Sequence, residues 1–195
     1  MEQYAFYKEL YFKENDRRQD VLNSLNIPIA IITALSSVIF FVLTNFDNKI
    51  GIRINYVFYT MVGASCFCIS IAIYYLIRAF SNFAKGYEYS GIPYPQELHD
   101  WNNDLIEYYK NNDGTEEDAA KYFEDYLVEN FVKQTNYNMD VNDTKLAYIY
   151  NSKKFLIMGL VLTLGIMVPY FYNHFTKKEN NRKIEIIHDD TNRIL

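Results

Sequence analysis

Three long stretches of the chain contain no aspartate, glutamate, lysine or arginine: residues 23–46, 54–77 and 155–176. Because a helix rises about 1.5 Å per residue, each stretch is long enough to cross about 30 Å of hydrocarbon. Aromatic residues cluster at the ends of these stretches, as at Phe46 and Tyr56, which is typical of rings anchored at the membrane–water boundary. The sequence therefore predicts an all-α membrane protein with three transmembrane helices.

The segments around these spans differ sharply in composition, and they divide the chain into five regions. The first segment lacks glycine and proline, and Tyr4, Tyr7 and Tyr11 recur there at helical spacing. It can lie on the membrane or pack on other helices. The predicted regions are an N-terminal amphipathic helix at 1–26, a transmembrane hairpin at 27–80 with spans at 27–46 and 55–77, an acidic cytoplasmic helical domain at 81–153, a third transmembrane helix at 154–176 and a polar C-terminal tail at 177–195.

Capping residues indicate where several helices begin. Asn26 is a plausible cap for the first span, two residues before Pro28. Thr115 followed by Asp118 is a capping-box variant at the start of a long helix that runs towards the third span. Its weakest part is 136–143, which is rich in asparagine and aspartate, so a kink or short loop is expected there.

A second helix of the central region is predicted from about Pro95 to Asn111, with Leu98, Trp101 and Leu105 on its apolar face. The region around it, 81–153, carries fourteen carboxylates against six lysines. Such a balance disfavours long nucleic acids, which bind through neutralisation of their phosphates.

No catalytic signature is present in the sequence. It has no Walker loop, dinucleotide-binding glycine pattern, zinc-protease helix or nucleophile elbow. The three histidines lack the spacing of a metal-ligand set, and Cys66 and Cys68 lie inside the second span. We therefore expect no enzymatic activity, no metal and no cofactor.

One polar stripe stands out on the predicted long helix. Thr135, Asn138, Asn142 and Lys145 repeat at steps of three and four residues, and Tyr148 continues near them. In a monomer this stripe is a solvated face. In a symmetric oligomer it would face the axis, where amides, a positive charge and an aromatic ring suit a nucleotide or oligonucleotide.

The spans carry small and hydroxyl-bearing residues at helical spacing, which allow helices to approach closely. The candidates for helix packing or for lining a pore are Thr33, Ser37, Ala64, Ser65, Cys68, Ala72 and Gly159. No charged residue lies in the spans to form a selective ring, so a pore formed by these helices would be wide or poorly selective.

Lysine and arginine near the span ends predict the orientation. Nine of them flank the side that carries the N-terminus and residues 78–154, and six flank the other side. The positive-inside rule places the first side in the cytoplasm, although the basic C-terminal tail favours the opposite orientation.

The order of elements along the chain is two spans, an acidic helical insert and a third span that opens with Ser152-Lys153-Lys154-Phe155. The segment from Asn130 to Asn138, followed by Asn142 and Lys145, precedes that third span. This layout resembles small transmembrane effectors of bacterial antiphage systems. Such effectors are encoded beside nucleotidyltransferases, as in CBASS and Hailong operons. The resemblance implies a homo-oligomer, for example a tetramer, in the bacterial inner membrane. It also implies control by a nucleotide or oligodeoxynucleotide from the partner nucleotidyltransferase, and damage to or depolarisation of the membrane during infection.

Two functional hypotheses follow. In the first, the chain is a ligand-gated membrane effector, and the sequence leaves open whether ligand opens or closes it. In the second, it is a structural membrane protein or an accessory subunit of a transporter, since the packing stripes suit that role equally well.

Overall fold

The computed structural model describes the backbone of residues 2–48, 51–81 and 88–193, and the side chains as far as Lys177. All regular structure in these ranges is helical, as the sequence predicts. The helices are α1 (Glu2–Asn23), α2 (Asn26–Asn45), α3 (Ile52–Phe80), α4 (Pro95–Asn111) and α5 (Glu116–Arg193). They form two compact units, which we call the polar unit (Met1–Ser24 and Arg78–Ala147) and the apolar unit (Leu25–Ile77 and Tyr148–Leu195).

α1 packs on helices of the polar unit, which is one of the two arrangements that the sequence allows. The rings of Tyr4 and Tyr11 lie 5.8 and 5.5 Å from the ring of Phe131 on α5, measured between centroids. The buried face of α1 continues through Glu14 to Val21. The aromatic stripe read from the sequence is therefore the face that α1 buries.

The predicted cap of α2 is wrong. Helix α2 already includes Asn26, and the capping position is Leu25, whose side chain makes no cap hydrogen bond. Only Ser24 and Leu25 separate α1 from α2, and the amide of Ile29 bonds to the carbonyl of Leu25. This bond is the first i→i−4 bond of the helix, so α2 begins one residue earlier than the sequence predicts, directly after the turn that follows α1.

α4 has the bounds that the sequence predicts, and the capping box at the start of α5 is present. The Asp118 carboxylate accepts hydrogen bonds from the amide and hydroxyl of Thr115 at 3.0 and 2.6 Å, and the amide of Asp118 donates to the Thr115 hydroxyl at 3.2 Å. These hydrogen bonds lower the pKa of Asp118. The predicted loop or kink at 136–143 is not a loop, since α5 is helical throughout that range.

α5 buries one face at a repeat of 3.5 residues. Between Phe131 and Ile166 its buried positions, apart from Val141, alternate in steps of four and three, the pattern of knobs-into-holes helix packing. We call this set of positions the seam of α5. The seam comprises Phe131, Thr135, Asn138, Asn142, Lys145, Ile149, Ser152, Leu156, Gly159, Thr163 and Ile166.

The seam is polar in the polar unit and mostly apolar in the apolar unit. In the apolar unit it joins a core contributed by all three long helices: Leu35, Ile39, Val42, Phe46, Phe58, Val62, Ile69 and Ile166. Phe46 and Phe58 stack with centroids 3.7 Å apart and planes 3° from parallel. This packing fixes the turn after α2 against the start of α3.

Three helical segments are long and apolar enough to cross a membrane, and they contain α2, α3 and the part of α5 up to Lys177. Large apolar side chains on them point away from the core, including Phe40, Phe67, Leu164 and Val168. A soluble monomer rarely exposes so much apolar surface, whereas lipid covers it without cost.

Candidate functional site

The polar stripe predicted as a solvated face of a monomer is buried. Asn138 and Asn142 are fully buried, Lys145 is 2% exposed and Thr135 is 6% exposed. The solvated-face interpretation is therefore wrong, because α1 and the segment after α3 cover this part of α5. Buried amides and a buried ammonium group need partners, and the polar unit provides them.

Asn142 connects α5 to α1 and to the segment that follows α3. Its amide nitrogen donates to the Glu14 carboxylate at 2.6 Å and to the Glu14 carbonyl at 3.2 Å. Its amide oxygen accepts the hydroxyl hydrogen of Tyr89 at 2.6 Å. Arg17 donates to the same Glu14 carboxylate at 3.2 Å and also pairs with Asp143. One amide thus joins a carboxylate and a phenol that lie far apart in the sequence.

Two cations lie against the Tyr89 ring. The guanidinium carbon of Arg18 is 4.4 Å from the ring centroid, and the ammonium nitrogen of Lys145 is 4.7 Å from it. Both distances are within the range of a cation–π attraction. Burial, together with repulsion from Arg18, lowers the pKa of Lys145. Burial raises the pKa of Tyr89, and Arg18 opposes that effect.

Asn138 binds the backbone of the connecting segment at two points. Its amide oxygen accepts the backbone N–H of Ser90, and its amide nitrogen donates to the Ser90 carbonyl, both at 2.9 Å. A side-chain amide thus pairs with a single residue's donor and acceptor. The same pair of groups could read any planar edge that carries a donor beside an acceptor.

Thr135 faces an open cleft of about 520 Å³ between α1 and α5. Its hydroxyl is buried and has no hydrogen-bond partner among the described residues. The cleft is lined by apolar side chains such as Leu10, Val132 and Met139 and by charged side chains such as Lys13. Its volume lies in the range of small-molecule sites.

Tyr148, the fifth predicted residue, belongs to the apolar unit. There its ring lies 6.1 Å from that of Tyr75, measured between centroids. The other four predicted residues, Thr135, Asn138, Asn142 and Lys145, all belong to the polar unit.

Several predicted packing or pore residues lie between α3 and α5. The Ser65 hydroxyl is 3.2 Å from the Gly159 carbonyl and 2.9 Å from the Thr163 hydroxyl. Cys68 is buried next to Gly159, and Ala64 is half-buried. The carbonyl of Ala72 accepts a hydrogen bond from Ser152 at 3.0 Å.

Thr33 and Ser37 are placed differently, because both are exposed on α2. Their hydroxyls donate to carbonyls of their own helix, those of Ile29 and Thr33, at 3.0 and 2.8 Å. Ser65, Cys68 and Ala72 of α3 thus serve packing within the chain, whereas Thr33 and Ser37 of α2 remain available to a neighbour or to water.

Sequence reasoning missed four residues of the polar network: Glu14, Arg18, Tyr89 and Ser90. Glu14 carried a usable signal, because it continues the spacing of Tyr4, Tyr7 and Tyr11 on the buried face of α1. A carboxylate in such a stripe needs a buried partner. Tyr89 and Ser90 carried no signal, since their backbone is irregular.

Among the residues with described side chains, no group of three or more His, Cys, Asp or Glu could hold a metal ion. The buried amides and cations can bind polar or anionic groups, and no nucleophile paired with a base accompanies them. No protein-family model, no curated protein and no solved structure matches the chain.

Proposed function

We propose that the chain is a small multi-pass effector of the bacterial inner membrane that oligomerises and lets ions cross the bilayer. The polar unit lies in the cytoplasm, and a nucleotide or oligonucleotide bound there sets whether the membrane leaks. The resemblance to antiphage effectors supplies the biological setting, with a partner nucleotidyltransferase as the source of the ligand. The chain itself is not an enzyme.

The observation that carries the membrane part of this proposal is the exposed hydroxyl face of α2. Ala30, Thr33, Ser37 and Thr44 are all exposed, although they lie in a segment apolar enough to span a bilayer. α3 exposes Thr60, and at Gly63 an added Cβ would meet nothing within 4 Å. Small and polar groups in transmembrane helices usually face other helices or water rather than lipid. Further copies of the chain would cover these faces.

The ligand part rests on the buried amides and cations of the polar unit. Asn138 and Asn142 offer paired donors and acceptors, which suit the edge of a nucleobase. Lys145 and Arg18 add positive charge beside them, in a region whose surface is otherwise acidic. An open cleft lies beside Thr135, which is on the same face of α5.

Ion leakage from reconstituted vesicles tests this function. We expect vesicles that contain the full chain to release a trapped ion in at least one of two states, without nucleotides or with a panel of 5′-phosphorylated deoxynucleotide trimers. Replacement of both Thr33 and Ser37 by leucine should lower the leak at least tenfold, because an apolar face no longer lines a wet path. The matched control is Ile31→Leu, which is exposed on another side of the same helix and should leak normally.

Vesicles that remain sealed in both states would contradict the effector hypothesis. They would favour the alternative that the chain is a structural membrane protein or a transporter subunit. Leakage that is the same for the double leucine variant and the wild type would remove the α2 face from the conducting path.

A further inference from the structure

The segment of residues 88–91, which we call the strap, occupies the polar face of α5. Tyr89 and Ser90 are half-buried on it. A Cβ atom added to Gly91 would lie 4.0 Å from the hydroxyl oxygen of Tyr11. The strap has no helical backbone. The groups that could recognise a ligand are therefore covered by the chain's own residues.

The hydrogen-bonding groups of the two asparagines are used by these internal contacts. The amide nitrogen and the amide oxygen of Asn138 both bond to the backbone of Ser90. Asn142 gives its acceptor to the Tyr89 hydroxyl and its donor to Glu14. A ligand cannot form bidentate contacts with either amide while Tyr89 and Ser90 remain in place.

We propose that the strap is an internal competitor for the ligand site, so that ligand binding requires Tyr89 and Ser90 to leave the polar face of α5. This inference rests on the proposed function, because it concerns how the same site is regulated. Release of Tyr89 uncovers the amide oxygen of Asn142 and one side of Lys145. Release of Ser90 uncovers both ends of the Asn138 amide.

The strap is suited to reversible release. Its described contacts with α5 are a few hydrogen bonds and ring contacts, with no large apolar side chain fully buried. Segments with few buried apolar contacts open at low free-energy cost compared with the core. A ligand with a planar donor–acceptor edge would replace the Ser90 backbone at Asn138, and an aromatic ring would replace Tyr89 beside the cations.

A third asparagine of α5, Asn173, provides an internal reference for the Asn138 contact. The amide of Asn173 donates to the Asp47 carbonyl at 2.6 Å and accepts the Asp47 N–H at 3.3 Å, so it also binds one residue at two points. The turn that it holds is also fixed by the Phe46–Phe58 stack, which the strap lacks. We therefore expect the Asp47 contact to stay closed while the Ser90 contact opens.

The test uses the full chain in lipid nanodiscs with the panel of 5′-phosphorylated deoxynucleotide trimers as probe. Tyr89→Ala should bind the best trimer about tenfold more tightly than the wild type, because a larger fraction of the protein has the site open. Ser90→Pro removes the N–H that Asn138 accepts and should act in the same direction. Tyr94→Ala, at an exposed tyrosine outside the strap, should bind as the wild type does.

Hydrogen exchange gives the second measurement on the same samples. Bound trimer should speed exchange of the Ser90 amide at least tenfold and leave that of Asp47 unchanged. Binding without faster Ser90 exchange, and with unaltered affinity in Tyr89→Ala and Ser90→Pro, would overturn the competitor role and leave the proposed function intact. Absence of binding to the wild type and to both strap variants would overturn the nucleotide-controlled function itself, and the competitor role with it.

Discussion

Asn138 and Asn173 lie 35 residues apart on α5, five heptads from one another, and each binds the backbone N–H and carbonyl of one residue in a connecting segment. Their surroundings differ. Asn138 stands among Asn142, Lys145 and other polar groups, whereas Asn173 follows an apolar stretch of the seam that ends at Ile166.

The two units are held together by different interactions. In the apolar unit, the packing of aliphatic and aromatic side chains fixes the fold, and the asparagine closes one turn. In the polar unit, hydrogen bonds and charge contacts hold the strap on α5, and they add to the aromatic packing of α1 on α5. Such contacts can be exchanged for equivalent contacts with a ligand or with water, whereas buried apolar area cannot. The polar unit is therefore the better place for a switch.

The largest effect should come from a polar residue in the apolar part of the seam. Ile166 is fully buried among Leu35, Val42 and their neighbours. Ile166→Asn removes packing and buries an amide without partners, which should cost about 4 kcal/mol. We expect loss of the monodisperse species in detergent on size-exclusion chromatography. Leu164→Asn, at an exposed position two residues away, should remain monodisperse.

The next effect should fall on the polar unit alone. Asn142→Leu keeps the branching and the number of heavy atoms of the side chain, but it leaves the Glu14 carboxylate and the Tyr89 hydroxyl without their amide partner, at a cost of about 3 kcal/mol. Hydrogen exchange should accelerate throughout α1 and remain slow in α2 and α3. Asn136→Leu, at an exposed position of the same helix, is the control. Equal acceleration in α2 would mean that the two units do not unfold separately.

Loss of the Asn138–Ser90 contact and loss of the Asn173–Asp47 contact should each have a local effect only. Asn138→Ala and Asn173→Ala each remove two hydrogen bonds, which is worth about 2 kcal/mol locally. The first variant should speed amide exchange at Ser90 and not at Asp47, and the second should do the reverse. If either variant accelerates both sites, the contacts are coupled and the comparison of two independent units is wrong.

The smallest effect should be that of the hydroxyl pair between α3 and α5. Ser65→Ala removes the contacts with Thr163 and Gly159, and such bonds within a membrane contribute about 0.6 kcal/mol. Unfolding in mixed detergent should detect this loss. Ser70→Ala should have no measurable effect, because Ser70 is exposed and, among the described residues, bonds only to the Cys66 carbonyl of its own helix.

Much of the helical layout could be predicted because its signals are local. The bounds of α4 follow from Pro95 and the periodic apolar residues, and the start of α5 follows from the Thr115–Asp118 pair. The same local reasoning failed at 136–143, where asparagine and aspartate have low helix propensity. Buried contacts of Asn138 and Asn142 with other segments outweigh that propensity and keep the helix continuous.

Three features follow from the sequence alone: the apolar spans, the acidic region between the second and third spans, and the shared helix face of Thr135, Asn138, Asn142 and Lys145. Those features depend on composition and on spacings of a few residues. The burial of this face follows from the folded chain, because its partners are distant: Glu14 is 128 residues from Asn142, and Ser90 is 48 residues from Asn138. An amide has the same periodicity whether water or a carboxylate binds it, so only the folded chain distinguishes the two.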